Sequence, residues 1–208
     1  MIDIERYDRE HNVQTAGLIE LNQLAFQSAS KAEGSRYGGA SPWVFREAMD
    51  RLQIDHSRYT FIDIGSGKGS ALFYASDFDF RQIIGVEFSP ELDLAAQQNI
   101  RQFRSKTQKC REITAVCGDG AAYEYPAGPW VLFFNCPFGP GIWKSVAANL
   151  ERAAYGFSGS YLIHMQAGFI PGAKDFVGAL PFLRKVHGDD MVEIFEFVAP
   201  ASASAANR

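Results

Sequence analysis

The sequence predicts an α/β fold: a doubly wound, mostly parallel seven-stranded sheet with helices on both faces, an antiparallel last strand and an N-terminal helical extension. From residue 60 onward, short apolar runs alternate with helical patterns, the order that builds a parallel sheet through right-handed crossovers. The first of these runs ends in a turn holding Gly65, Gly67 and Gly69, at the place where doubly wound sheets bind ligands. The last two apolar runs are joined only by His187-Gly188-Asp189-Asp190, a hairpin link too short for a parallel crossover.

The elements follow in order. Residues 15–27, TAGLIELNQLAFQ, carry Leu18, Leu21, Leu24 and Ala25 at helical spacing and predict a helix, followed by the small-residue loop SASKAEGSRYGGASP. Ser41 as N-cap with Pro42 at the first position opens a second helix through WVFREAMDRL. Residues 61–64 form a buried strand and residues 68–76 a helix; residues 83–87 form the next strand. Ser89-Pro90-Glu91 starts a helix whose apolar face is Leu92, Ala95, Ala96, Ile100 and Phe103, a spacing that excludes a strand. Strands at 113–117, 131–135 and 161–165, a helix at 142–155, and strand-like runs at 182–186 and 191–198 complete the pattern. The expected organisation is an N-terminal extension or cap (1–40), one ligand-binding domain (41–199) and a short unstructured tail (200–208).

Composition excludes several function classes. Hydrophobic residues at 47% and charged residues at 21% are globular values, and 208 residues can bury one sizeable core. A formal charge of −4 supplies no basic field for duplex nucleic acid or an anionic membrane. The cluster Arg101, Arg104, Lys106, Lys109 and Arg111 sits at a helix C-terminus, where cations complement the macrodipole. Cys110, Cys117 and Cys136 lack disulfide or zinc spacing, and the four histidines show no metal-ligand pattern, so no metal is expected. His164, at the end of a strand, is the histidine to watch. With a charged N-terminus and no long apolar run, the expectation is a soluble, cytoplasmic protein without membrane partners.

The neighbours of the glycines choose the ligand. A P-loop needs four residues between its glycines and a hydroxyl after the lysine, whereas Gly69 follows Lys68. A nucleoside ligand is therefore expected, either a dinucleotide or S-adenosylmethionine. A dinucleotide brings a pyrophosphate, and Asp63 at roughly 6 Å would oppose each phosphate charge by roughly 3 kcal/mol at an effective dielectric near 20. S-Adenosylmethionine instead brings a cationic ammonium and a cationic sulfonium, which a carboxylate attracts. Glu87 follows Gly69 by 18 residues, where it can accept hydrogen bonds from both ribose hydroxyls of either ligand. The third glycine is not at the dinucleotide spacing, which leaves an NAD(P)-binding protein as the weaker alternative.

The stretch from Asp63 to Gly69 (DIGSGKG), then GVEFSPELDLAAQQNI and Cys117-Gly118-Asp119, resembles the successive motifs of the class I, seven-stranded S-adenosylmethionine-dependent methyltransferases, over roughly residues 41–199. The resemblance implies that S-adenosyl-L-methionine is the cofactor and that Gly65, Ser66, Gly67 and Gly69 form its loop. It further implies that Asp63 holds the methionine amino group, Glu87 the ribose and Phe88 the adenine face, with Asp119 at the adenine amino group. A non-catalytic cofactor-binding partner subunit would keep the same residues.

Residues 131–139 read VLFFNCPFG. In methyltransferases of this type acting on amine or planar nitrogens, the place often holds Asn-Pro-Pro-Tyr or Asn-Pro-Pro-Phe. Asn135, Pro137 and Phe138 match, and Cys136 replaces the first proline. By this resemblance Asn135 accepts a hydrogen bond from the nucleophilic amine and Phe138 stacks on the substrate. The DIGSGKG and GVE stretch also resembles lysine methyltransferases of the seven-stranded type, which implies a protein amine as acceptor, with a small molecule as the other expectation. Methyl transfer is an in-line displacement for which the protein mainly aligns nucleophile and methyl group, and no triad is needed. The segment 15–42, with Tyr37 among glycines, is expected to cover the cofactor.

Overall fold

The structure, a computed structural model, describes residues 3–20, 23–24, 36–135, 138–154 and 159–198. The N-terminal helix lies earlier than the apolar spacing suggests. Helix α1 is Ile4–His11: Asp3 caps it by accepting from the Arg6 amide at 2.6 Å, Arg9 and His11 occupy its last turn, and Asn12 closes it in the left-handed region. The helix predicted over 15–27 does not form in its described part. The buried Asp8 carboxylate accepts from the Thr15 amide (2.6 Å), the Thr15 hydroxyl (2.7 Å) and the Ala16 amide (2.7 Å), so those donors are lost to a helix. Gly17 then turns the chain at φ 98°, and Leu18–Ile19 forms strand β1, antiparallel to Tyr37–Gly38, strand β2.

Helix α2 is Pro42–Arg51, with Ser41 as N-cap. Strand β3 (Thr60–Ile64) leads through the glycine turn into α3 (Ser70–Ala75), which starts at Ser70, later than expected, because Gly67 and Gly69 both have positive φ. Strand β4 (Gln82–Glu87) feeds α4 (Pro90–Gln102), whose N-cap Ser89 accepts from the Leu92 amide. Arg104 donates from Nη1 to the carbonyls of Phe103 (2.7 Å) and Arg101 (3.2 Å), so part of the basic cluster satisfies the end of α4. Then come β5 (Ile113–Cys117), β6 (Trp130–Asn135), α5 (Pro140–Ala154) and β7 (Tyr161–Met165). The short helix α6 (Ala173–Gly178), too brief to show a periodicity, precedes β8 (Leu183–Gly188) and β9 (Val192–Phe197). The tail 200–208 lies outside the described residues.

The sheet order is β5-β4-β3-β6-β7-β9-β8. Pairs from β5 through β7 are parallel; β9 runs antiparallel to both β7 and β8, as the short hairpin link requires. One face is covered by α2, α3 and the N-terminal segment, with Phe45, Phe61, Phe73 and Phe133 at its centre and Tyr7 and Val13 in the same cluster. The other is covered by α5 and α6 around Trp130, Phe134 and Trp143. Strand order reverses between β3 and β6, which opens a crevice at their carboxyl ends.

Candidate functional site

At that crevice a cleft is lined by Gly65, Gly67, Glu87, Phe88, Asp119, Asn135 and Phe138, seven of the residues singled out in the sequence, together with Leu24, Arg36, Tyr37 and Gly38 from the N-terminal side. Asp63, Ser66 and Gly69 lie outside this lining, and Cys136 and Pro137 lie outside the described residues.

Register places Asp63. It pairs with Gly85 on β4 and with Phe133 on β6, one residue before the end of β3, and is 3% exposed. Its Oδ1 is buried without a hydrogen-bond partner. Burial, reinforced by the nearby Glu87 charge, pushes its carboxyl well above the usual range. Asp63 is thus a buried acid beneath the cleft with one carboxylate oxygen unpaired. Ser66 sits behind the loop, where its Oγ would meet a Cβ at Gly85 at 2.7 Å; only glycine at 85 leaves room for it.

Glu87 clamps the turn. Its Oε2 accepts from the Gly67 amide and its Oε1 from the Ser89 amide, both at 2.8 Å. Burial raises its carboxyl while the Ser89 and Gly67 amides pull it back down. Each oxygen retains lone-pair capacity for a further donor, such as a sugar hydroxyl. Glu87→Ala is expected to do more than remove ligand contacts. Two buried amides lose their acceptor, at about 1–3 kcal/mol each, so a stability loss of about 2–6 kcal/mol should accompany the loss of cofactor affinity in denaturant melts.

A strap formed by β1 and β2 lies across the glycine turn. The Tyr37 hydroxyl donates to the Thr15 carbonyl, and Lys68 places its ammonium 5.0 Å from the Tyr37 ring centroid while donating to the Ala16 carbonyl at 3.2 Å. A Cβ on Gly67 would stand 2.3 Å from Tyr37 Cε2. The nearest occupant of the space above Gly67 is therefore the strap tyrosine, where the sequence alone suggested the ligand. Gly67→Val should displace Tyr37, strain a residue at φ 54° and lose cofactor binding. Faster amide exchange in residues 15–20 and 36–38, measured beside cofactor titration, checks this.

Asn135 ends β6 and joins the strap to the far wall. Its Nδ2 donates to the Gly38 carbonyl at 3.3 Å, while its Oδ1 is buried with no partner. Because a backbone carbonyl only accepts, the amide orientation is fixed and the free atom is an acceptor. Phe138 packs edge-on to Trp143, ring centroids 5.0 Å apart. Asp119 lines the cleft and also accepts from the Ala121 amide at 2.9 Å, so it is a turn acid and a cleft acid at once.

His164 does not line the cleft. It is fully buried against Trp143 and 4.0 Å from Glu193, and burial, with Lys174 second, pushes it down to about 4. Among the cleft residues that sequence reasoning missed, Arg36 and Gly38 belong to a segment with no periodic signal; only the sequence position of Tyr37 pointed to it.

The donors and acceptors around the cleft fit S-adenosylmethionine: a buried carboxylate with one unpaired oxygen for a cation, a carboxylate on a glycine turn for ribose, and an apolar wall at Phe88 and Leu92. When bound, the cofactor supplies an activated methyl group and its own leaving group.

Comparisons with known proteins agree with this geometry. A family model described as protein-L-isoaspartate(D-aspartate) O-methyltransferase (PCMT) matches residues 4–149. No curated protein sequence matches the chain. Among solved structures, an RNA methyltransferase from Salinibacter ruber in complex with S-adenosyl-L-homocysteine is 15% identical, with a TM-score of 0.50 over 78% of this chain and 94% of that one. A TehB-like S-adenosylmethionine-dependent methyltransferase from Corynebacterium glutamicum is 17% identical, with a TM-score of 0.53 over 74% of this chain and 88% of that one. A Streptococcus mutans protein in complex with S-adenosylhomocysteine is 12% identical, with a TM-score of 0.55 over 74% of this chain and 97% of that one. At these identities the likeness is one of fold. The family match, spanning both the glycine turn and the carboxyl end of β6, displaces the dinucleotide alternative: the chain belongs to the protein-L-isoaspartate(D-aspartate) O-methyltransferase family and is a class I S-adenosylmethionine-dependent methyltransferase.

Proposed function

We propose that the chain transfers the cofactor's methyl group to an N–H-bearing nitrogen, an amine or amino group of a protein or small molecule. One observation carries this reading: the buried, unpartnered Oδ1 of Asn135 on the cleft wall, fixed in that orientation by the Gly38 carbonyl. A nucleophile aligned by that atom must donate a hydrogen bond. A carboxylate, the acceptor in the family's name, has no hydrogen to give at neutral pH, and it would meet the acids Asp63, Glu87 and Asp119.

In this reading Asp63 takes the methionine ammonium, Gly65 and Gly67 the cofactor backbone, Glu87 the ribose, and Phe88 and Asp119 the adenine, with Ser66 and Gly69 shaping the turn. Asn135 positions the nitrogen, and Phe138 with Pro137 forms the acceptor wall. Residues 1–40 act as a cap on a catalytic domain of residues 41–199, with 200–208 as a tail. Among the described residues no helix is long and apolar enough to cross a membrane, and a cytoplasmic location is part of the proposal. The experiment is a screen with methyl-labelled cofactor against lysine peptides, nucleosides, small amines and an isoaspartyl peptide. Labelling of the isoaspartyl peptide alone would reject the nitrogen reading.

A further inference from the structure

The cofactor's amino-acid end is a zwitterion, and Asp63 answers only its ammonium. Its carboxylate must enter a site whose other charges are acids: Glu87 and Asp119 on the lining and Asp63 beneath it. Among the described residues, one cationic side chain lines the cleft, Arg36. It directly precedes Tyr37, whose ring rests against Gly67 in the turn that borders the cofactor. Arg36 pairs with Glu20 at 4.0 Å, with both side chains more than half exposed. Such a long, solvated pair holds little energy. A guanidinium also matches a carboxylate with two parallel N–H donors, a geometry that a lysine lacks.

We infer that Arg36 binds the α-carboxylate of the cofactor, so that the strap and Asp63 together read both charges of its amino-acid end. The consequence is selectivity for the complete cofactor over analogues lacking the carboxylate. The inference concerns cofactor binding and stands or falls independently of the acceptor.

The test is calorimetric binding of S-adenosylmethionine and of decarboxylated S-adenosylmethionine, which keeps the ammonium and sulfonium but lacks the carboxylate. Arg36→Ala should weaken S-adenosylmethionine binding tenfold or more and leave the decarboxylated analogue within about twofold of the parent, with Arg36→Lys in between. Because the Arg36 side chain is largely exposed, the variant should melt with the parent protein. Equal weakening of both ligands, no weakening of either, or a parent that does not prefer the carboxylate-bearing ligand would overturn the assignment.

Discussion

Asp63→Asn is expected to make the protein more stable at neutral pH and to weaken cofactor binding by roughly a hundredfold. Both effects come from one buried acid whose Oδ1 has no partner. Burial raises its folded-state carboxyl above the unfolded value of about 3.9, so the folded protein holds this proton more tightly than the unfolded chain. The stability from that proton is complete below the unfolded value and is lost as pH rises through the higher folded value. At pH 7 the ionised acid is therefore a cost, and the neutral asparagine removes it. The expected result is a higher Tm for Asp63→Asn than for the parent at pH 7. Cofactor affinity runs the other way. On the proposed role of Asp63 the ammonium needs the ionised acid, so affinity of the parent should rise with pH up to the raised folded-state value of Asp63, whereas that of Asp63→Asn should stay flat. Losing a charge-assisted contact of about 1.5–3 kcal/mol gives the hundredfold at its upper end. Melting curves and cofactor titrations from pH 4 to 8 read both arms; a less stable variant with unchanged affinity would remove Asp63 from the site.

Asn135→Ala should slow methyl transfer by roughly a hundredfold or more and weaken cofactor binding by no more than about tenfold. On the proposed role of Asn135, the alanine removes the buried hydrogen-bond acceptor that would align the nucleophile, an interaction needed only when the substrate is in place. It also removes the bond to the Gly38 carbonyl, a neutral contact of about 1 kcal/mol that helps to seat the strap, which is why a modest binding loss is expected. Single-turnover rates separate the two effects. A parental rate in this variant would make the end of β6 a structural turn.

The sheet was legible because its central strands are buried on both faces and read as continuous apolar runs: residues 61–64, 83–87, 131–135 and 161–165 all fall within observed strands. The reversal of β9 followed from the length of one link. The cleft was legible as far as local motifs reach, through Gly65, Gly67, Glu87 and Asn135. What escaped was held by contacts between distant residues. Helix α1 has few apolar residues and depends on Asp3, Asn12 and the reach of Asp8 to Thr15 and Ala16. The apolar spacing of 15–27 suggested a helix because a periodicity cannot register that its amides are already taken. The absence of a side chain at Gly67 is explained by Tyr37, thirty residues upstream, and the orientation of Asn135 by Gly38, almost a hundred residues upstream.

The chemical bond formed to the transferred methyl group tests the central claim most directly. An acceptor labelled by the parent protein with radioactive S-adenosylmethionine should be treated with mild alkali and the volatile fraction counted. A methyl group on nitrogen survives, so the account predicts that the label stays with the acceptor and that Asn135→Ala lowers its incorporation. Release of the label as methanol would identify a carboxyl methyl ester and contradict the assignment of Asn135 to a hydrogen-donating nitrogen.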